Sequence, residues 1–221
     1  MRHIEPARSV SMRFGAAQHA AASWLLFTFL LAATLLFSRP AKPEDALSTS
    51  PWVAGGYSFS DELGGFRILS AKGSGTKSDP FVIFEELYSA SPVTMTIRAT
   101  KPTRAFDFSG DYANGFLNLK LEVLNGSGQP WVEFEFELQE VLDLPSTYGD
   151  GLSFDQRGSD ADAISSESFS ASSRHFEPYD RLLFRDGKID PRQTGSFGFL
   201  ITDYTPTSVF YLVQDPRIPS T

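Results

Sequence analysis

The sequence predicts an all-β protein, an immunoglobulin-like antiparallel β-sandwich behind an N-terminal hydrophobic helix. Three observations predict this fold. Apolar and polar residues alternate over most of the chain after residue 51, segments rich in Gly and Pro separate the alternating runs, and no helical period of useful length interrupts them. A series of short strands of this kind is typical of a sandwich or a barrel.

Residues 1–38 are predicted to be a signal peptide or a signal anchor. Residues 20–37 carry no charged side chain, and three arginines precede them, which is the secretory pattern of a basic segment followed by an apolar one. Eighteen helical residues span about 27 Å, which is just enough to cross a bilayer core. The cleavage positions that follow have a large or charged residue at −3, so cleavage and retention in the membrane both stay open. Either outcome predicts an extracytoplasmic protein, periplasmic or at the cell surface.

Residues 39–51 read as a linker, because they are rich in Pro, Ser and charge and lack apolar periodicity. The folded domain is predicted to cover residues 52–221. Within it, residues 144–179 are rich in Gly, Ser and Asp and are predicted to form a long, partly disordered loop. Strands are predicted over Phe66–Ala71, Phe81–Tyr88, Val93–Ile97, Arg181–Phe184, Phe197–Ile201 and Val209–Val213, with a hairpin turn at Asp186-Gly187.

The clearest pair of strands lies between Phe116 and Val141. Leu and Val occupy alternate positions from 117 to 123, a turn segment rich in Gly and Pro follows, and apolar residues alternate with Glu from 132 to 138. These runs are predicted to pair as a hairpin with one buried face, which places Glu122 opposite Glu133.

The segment from Leu124 to Leu138 (LNGSGQPWVEFEFEL) resembles a hairpin common in bacterial exported β-sandwich proteins, in which an Asn-x-Ser/Thr-Gly-x-x-Trp turn leads into an alternating strand. The resemblance covers about 15 residues. It implies a bacterial envelope setting and an immunoglobulin-like sandwich, and it carries over no functional residue.

Charge and composition exclude several classes of function. Four Arg and one Glu lie before residue 42, so the 19 Lys and Arg and 27 Asp and Glu leave 15 basic and 26 acidic residues for the remainder, a formal charge of −11. Such a balance disfavours nucleic acid as a partner. The absence of Cys from the sequence excludes disulfides, thiolate metal sites and a cysteine nucleophile.

Acidic residues in the predicted loop suggest one possible cofactor, calcium. The candidate ligands are Asp150, Asp155, Asp160 and Asp162. Calcium takes six to eight oxygen ligands from loops of this kind, but the spacing breaks the EF-hand pattern, so a solvated acidic loop is the alternative.

Catalytic signatures are weak. His175 is the only His after the targeting segment, and no Gly-x-Ser-x-Gly pattern accompanies it. Ser74 and Lys77 match Ser-x-x-Lys without its companion motifs. A pair of carboxylates of the glycosidase type is compatible with the many Asp and Glu, but their separation cannot be read from sequence.

Aromatic residues predicted at strand ends or in loops are the candidate binding residues: Trp52, Tyr112, Trp131 and Tyr148. Exposed Trp and Tyr stack on sugar rings or anchor a protein partner, and the alternative is that they close the ends of the sandwich. The expected function is therefore a non-catalytic envelope module that binds an envelope protein or a glycan, or acts structurally. A membrane contact is expected through residues 20–37 if they are retained. The alternatives are a polysaccharide hydrolase and a calcium-stabilised adhesion domain.

Overall fold

A computed structural model describes residues 50–156, 158 and 163–220, and in them the protein is all-β. Two sheets pack face to face, as the sequence predicts. Sheet A contains, in spatial order, β1 (Trp52–Ala54), β2 (Tyr57–Ser60), β5 (Val93–Ala99), β13 (Val209–Arg217), β7 (Glu133–Gln139), β11 (Arg181–Gly187) and β10 (Phe169–His175). Sheet B contains β3 (Phe66–Lys72), β4 (Phe81–Leu87), β6 (Phe116–Asn125), β12 (Thr194–Asp203) and β8 (Leu152–Phe154), and β9 (Ser165–Ser166) also pairs with β12.

The interior between the sheets is filled mainly by the apolar side chains that alternate along each strand. Leu117, Leu119, Leu121 and Val123 of β6 and Phe134, Phe136 and Leu138 of β7 are all buried. The ring of Phe136 lies 5.3 Å from that of Phe197 and 4.8 Å from that of Phe199, both in the opposite sheet. Aromatic pairs at these separations stabilise the core beyond the area they bury.

The predicted hairpin between β6 and β7 is wrong, although both strands exist. β6 pairs with β4 and β12 in sheet B, whereas β7 pairs with β11 and β13 in sheet A. The turn between them therefore crosses from one sheet to the other, and Glu122 faces Ser196 and Phe84 rather than Glu133. Alternation with period two buries one face of each strand equally well when the strands face each other across the core.

The turn that makes this crossing is held by buried polar contacts. Asn125 is fully buried, and its side-chain amide donates to the carbonyls of Gln129 (2.8 Å) and Ile189 (3.0 Å). The indole nitrogen of Trp131 donates to Ser127 Oγ at 3.0 Å. These bonds satisfy groups that would otherwise be costly to bury.

Two further predictions are corrected. Asp186-Gly187 ends β11, which pairs with β10, so this dipeptide is not the turn of a hairpin leading into β12. The segment 144–179, predicted as a loop, contains β8, β9, β10 and a 3-10 turn at Tyr148–Asp150. Its strands are short or rich in Ser, so they lack the apolar alternation that marks the others.

The pairing of β4 with β6 is parallel, in a domain whose other strand pairs are antiparallel within the described residues. The chain leaves β4, forms β5 in sheet A and returns to sheet B as β6, so both sheet B strands run the same way. The loops that precede β4 and β6 consequently emerge at the same end of sheet B.

No helix in the described residues is long and apolar enough to span a membrane. The predicted N-terminal helix and most of the predicted linker lie outside the described residues.

Candidate functional site

A groove of about 1000 Å³ lies over the outer face of sheet B. Its floor is formed by outward-facing residues of β6 and β12, among them Asn118, Lys120, Ser196, Gly198 and Leu200. These residues alternate with buried ones that face the core, so the strand period places them on the surface together. A volume near 1000 Å³ is at the upper end of the range for ligand sites in proteins.

Loops form the walls of the groove. The β3–β4 loop and the β5–β6 loop rise at one end, because their following strands are parallel. The backbone N–H of Asn118 and its side-chain amide both donate to Gly75 O, at 3.0 and 2.9 Å, which ties the first loop to β6. On the β12 side, Asp155 N–H donates to Leu200 O at 2.9 Å and Ser166 Oγ donates to Ser196 O at 2.7 Å.

Exposed aromatic rings stand on the wall that the β5–β6 loop provides. Phe108 is 69% exposed, more than any other large apolar side chain in the described chain, and its ring lies 5.4 Å from that of Phe116. Phe106 contacts Phe116 and Tyr204 at 5.4 and 5.0 Å. Phe108 and Phe116 line the groove together with Tyr112. Exposed clusters of this kind mark interaction sites more often than isolated apolar side chains do.

The loop that carries these rings is rigidly held. Gly115 has φ +76°, and a Cβ there would lie 2.0 Å from Asp203 O, so only Gly fits. Its N–H donates to the hydroxyl oxygen of Tyr57 at 2.9 Å, and burial raises the pKa of that hydroxyl to about 12. Ser109 donates twice to Asp107, and these bonds hold the pKa of Asp107 below its usual value.

Lysines are concentrated in the groove. Three of the six lysines in the sequence line it: Lys77, Lys101 and Lys120. Lys101 Nζ donates to the backbone carbonyl of Gly110 at 2.6 Å, which positions the ammonium without neutralising it. Lys120 Nζ forms an ion pair with Glu122 at 2.9 Å, and hydrogen bonding to Glu122 raises the pKa of Lys120.

The four predicted binding residues are not brought together. Tyr112 lies in the groove wall, where the guanidinium of Arg104 stands 5.2 Å from the centre of its ring. Trp131 is completely buried in the core, so its prediction as a surface binding residue is wrong. Trp52 is 40% exposed on the edge strand β1, and Tyr148 is 47% exposed in the 3-10 turn, with its ring 5.6 Å from Phe176.

Two of the four predicted calcium ligands are described, and both have local partners. Asp150 accepts backbone hydrogen bonds from Thr147 (2.9 Å) and Leu152 (3.0 Å), so it caps the 3-10 turn. Asp155 is buried, and Arg174 lies 3.6 Å from its carboxylate. Among the residues the structure describes, no three His, Cys, Asp or Glu side chains cluster as a metal site. Asp160 and Asp162 lie outside the described residues, and the calcium site stays a prediction.

The carboxyl groups with raised pKa values are not among the residues that line the groove. Glu85 points into the core, where Gln214 Nε2 donates to it at 3.1 Å, and burial raises its pKa to about 8. Burial also raises the pKa of Asp180 to about 7 and that of Asp203 to about 6. The described carboxylates that line the groove are Asp155 and Glu167.

A smaller concavity of about 260 Å³ lies between Glu140 and Tyr179, near the 3-10 turn. Val141 and Leu144 are exposed there, at 58 and 60%. It has a quarter of the groove's volume, and its residues come from loops rather than from a sheet face.

Sequence reasoning missed Phe108, Phe116, Lys101 and Lys120 as site residues. One signal was present: Phe106 and Phe108 stand in a loop otherwise rich in Asp, Ser and Gly, where apolar rings have no strand to belong to. The lysines carry no such signal, because only the pairing of β6 with β12 and the parallel pairing with β4 bring them to one face.

The fold and groove define a β-sandwich with a loop-walled site on one sheet. No family model matches the chain, no curated protein matches it, and no solved structure matches it.

Proposed function

We propose that this protein is a non-catalytic binding module, located outside the cytoplasm, whose ligand lies in the groove over sheet B. The observation that carries the proposal is Phe108, a phenylalanine 69% exposed on the wall of a groove of about 1000 Å³. Exposing a ring of this size costs about 2 kcal/mol relative to burying it. A ligand that covers Phe108 recovers that free energy.

The rigidity of the site supports the same function. The loop that carries Phe108 is held by the hydrogen bond from the Asp203 N–H to Gly115 O at 2.7 Å and by the bond from Lys101 Nζ to Gly110 O. A site that is already ordered loses little conformational entropy when its ligand binds. The extracytoplasmic location rests on the apolar segment 20–37 and its flanking arginines. We also propose the immunoglobulin-like type for the sandwich, on the basis of its two packed, largely antiparallel sheets.

A hydrolase with two carboxylates is the other candidate considered for the groove. A general acid of that class needs a raised pKa in the cleft. The carboxyl groups with raised pKa values, Glu85, Glu140, Asp180 and Asp203, do not line the groove, and Asp155 is ion-paired with Arg174. These placements favour binding without catalysis.

An array of neutral and acidic glycans tests the proposal, with the full-length chain purified in a mild detergent. We expect the chain to retain a subset of glycans and Phe108→Ala to lose that retention. Leu144→Ala is the matched control, because it also shortens an exposed apolar side chain, at 60% exposure, but in the smaller concavity. Retention that survives Phe108→Ala and fails in Leu144→Ala would move the site away from the groove, and no retention on any glycan would contradict the proposal.

A further inference from the structure

We propose that the ligand of the groove is an acidic polysaccharide, a polymer of sugar rings that carry carboxylates. This inference rests on the proposed binding function and names its ligand class. It combines two features of the same walls: exposed aromatic rings and a concentration of lysines.

The groove is richer in lysine than the negative net charge of the protein would suggest. The chain carries a formal net charge of −8, yet half of its six lysines line one groove. Among the residues that the structure describes, two acidic side chains line the groove. They are Asp155, which is paired with Arg174, and Glu167. Lys120 is paired with Glu122 at 2.9 Å, whereas Lys101 Nζ donates to a neutral partner, the Gly110 carbonyl. The walls therefore favour an anionic ligand.

The net negative charge of the protein does not oppose such a ligand strongly. At physiological ionic strength, charges further apart than about 8 Å are largely screened. The glutamates of β7 lie on the far side of the sandwich, beyond two sheets that stack about 10 Å apart. A polymer in the groove therefore interacts mainly with the charges of the groove itself, which are Lys77, Lys101 and Lys120 together with Glu122, Asp155 and Glu167.

The rings indicate sugar rather than an acidic peptide. Phe108 and Phe116 present a pair of rings 5.4 Å apart at the groove wall, and Tyr112 adds a third ring with a hydroxyl. One face of a pyranose carries mostly C–H groups, which pack against the electron-rich face of an aromatic ring. The floor is polar where it contains Ser196 and Asn118, whose Oγ and side-chain NH2 donate to Glu122 and to Gly75 O, and this polarity suits the hydroxyls on the sugar edges.

Calorimetric titration of the full-length chain in detergent tests the ligand class with matched probes. Uronic-acid oligosaccharides from pectate, alginate and hyaluronan supply rings and carboxylates. Methyl-esterified oligogalacturonate supplies the same rings as the pectate probe without charge, and oligoglutamate supplies carboxylates without rings. We expect at least one acidic oligosaccharide to bind. Where the pectate probe binds, its methyl ester should bind about tenfold more weakly, and oligoglutamate should bind more weakly than the acidic sugar.

Variants assign the effect to the groove. Lys101→Gln and, separately, Lys77→Gln should each weaken binding of the acidic oligosaccharide several-fold and weaken binding of the neutral ester much less. Lys188→Gln is the control, since Lys188 is an exposed lysine outside the groove that pairs with Asp190 at 2.8 Å. Raising the salt concentration should weaken the wild-type interaction and have less effect on the two groove variants.

The outcomes separate the ligand class from the proposed function. Equal affinity for the acid and its ester, with no effect of Lys101→Gln, would overturn the acidic polysaccharide while leaving a groove that binds neutral sugars. Oligoglutamate binding as tightly as the sugars would replace the sugar with an acidic peptide. If no acidic oligosaccharide binds while retention of neutral glycans still depends on Phe108, the ligand class is wrong. If no glycan depends on Phe108, the proposed function fails as well.

Discussion

The two outer faces of the sandwich use charge in different ways. On sheet A, the glutamates of β7 alternate along one strand and are paired with arginines of the neighbouring strands. Arg217 Nη2 lies 2.7 Å from Glu135, and Arg181 contacts Glu135 and Glu137. Over sheet B, Lys120 is also paired, with Glu122 at 2.9 Å, but Lys101 of the β5–β6 loop is held by a backbone carbonyl, and an exposed ring, Phe108, stands on the same loop.

This difference indicates where a ligand is expected. A charge that is matched within its own sheet gains little from a partner, because binding must first break or share the existing pair. Lys101 is hydrogen-bonded to a neutral carbonyl, so it can pair with an anionic ligand without breaking an existing ion pair. The exposed ring of Phe108 can pack against the same ligand. We therefore expect the network on sheet A to act as a solvated surface, and the groove over sheet B is the proposed ligand site.

The largest effect on the free energy of unfolding is expected in the core between the two sheets. Trp131→Ala should lower the free energy of unfolding by about 4 kcal/mol, because it removes a fully buried ring and its bond to Ser127. Chemical denaturation followed by circular dichroism measures it. Glycan retention by the folded fraction should be unchanged. If the variant were instead stable but lost glycan retention, Trp131 would be needed for ligand binding.

Buried Glu85 should make the stability of the protein depend on pH. Its pKa is about 8 in the folded state and 4.5 ordinarily, so the folded state binds the proton more tightly. The stabilisation is therefore fully present below about pH 4.5 and is lost as the pH rises through about 8. Wild-type protein should lose roughly 3 kcal/mol between pH 4.5 and pH 7 from this group alone.

Denaturation series at several pH values measure this contribution by comparison with Glu85→Gln. The variant should show a flatter profile than the wild type, while Asp180 and Asp203 leave a residual slope in both proteins. Glu86→Gln, at the next position of β4 and on its outer face, is the control and should keep the wild-type profile. Parallel profiles for Glu85→Gln and wild type would contradict the assignment.

On sheet A, Arg217→Met should lower the free energy of unfolding by at most about 1 kcal/mol. The arginine contacts Glu133, Asp215 and Glu135, but its side chain is 37% exposed and water screens the pairs. The difference from wild type should shrink further in high salt, and glycan retention should be unaffected. Loss of glycan retention in this variant would indicate that the ligand binds to sheet A and not in the groove over sheet B.

The smallest effect on stability is expected in the β5–β6 loop that walls the groove over sheet B. Phe108→Ala removes a side chain that is mostly in water, so the free energy of unfolding should change by no more than about 0.5 kcal/mol. Thermal and chemical denaturation measure it beside the glycan array. A large loss of stability would mean that Phe108 is a structural residue rather than a ligand contact.

Much of the fold could be predicted from alternation alone, because period two identifies strands such as β6 and β7 and the side that each buries. Alternation does not say whether two successive strands pair or face each other, so the hairpin at Asn125 was predicted within one sheet although it joins two. β10 was missed because its sequence, FSASSRH, buries Phe169 but is otherwise dominated by small polar residues.

Less of the site could be predicted, for a related reason. The groove depends on the parallel pairing of β4 with β6, which requires β5 to lie in the other sheet. No local pattern encodes that crossing. Tyr112 was predicted because aromatic residues in loops are conspicuous, whereas Lys101 and Lys120 lie 19 positions apart in sequence and meet only through the loop and strand geometry.

Hydrogen–deuterium exchange of the full-length chain, with and without a saturating concentration of an acidic oligosaccharide that binds in calorimetry, tests most directly whether the two faces differ in function. We expect slower exchange in residues 101–116 and in β12, with β7 and β13 unchanged. Protection confined to β7 and β13, or none at saturation, would contradict the assignment of the ligand to the groove on sheet B.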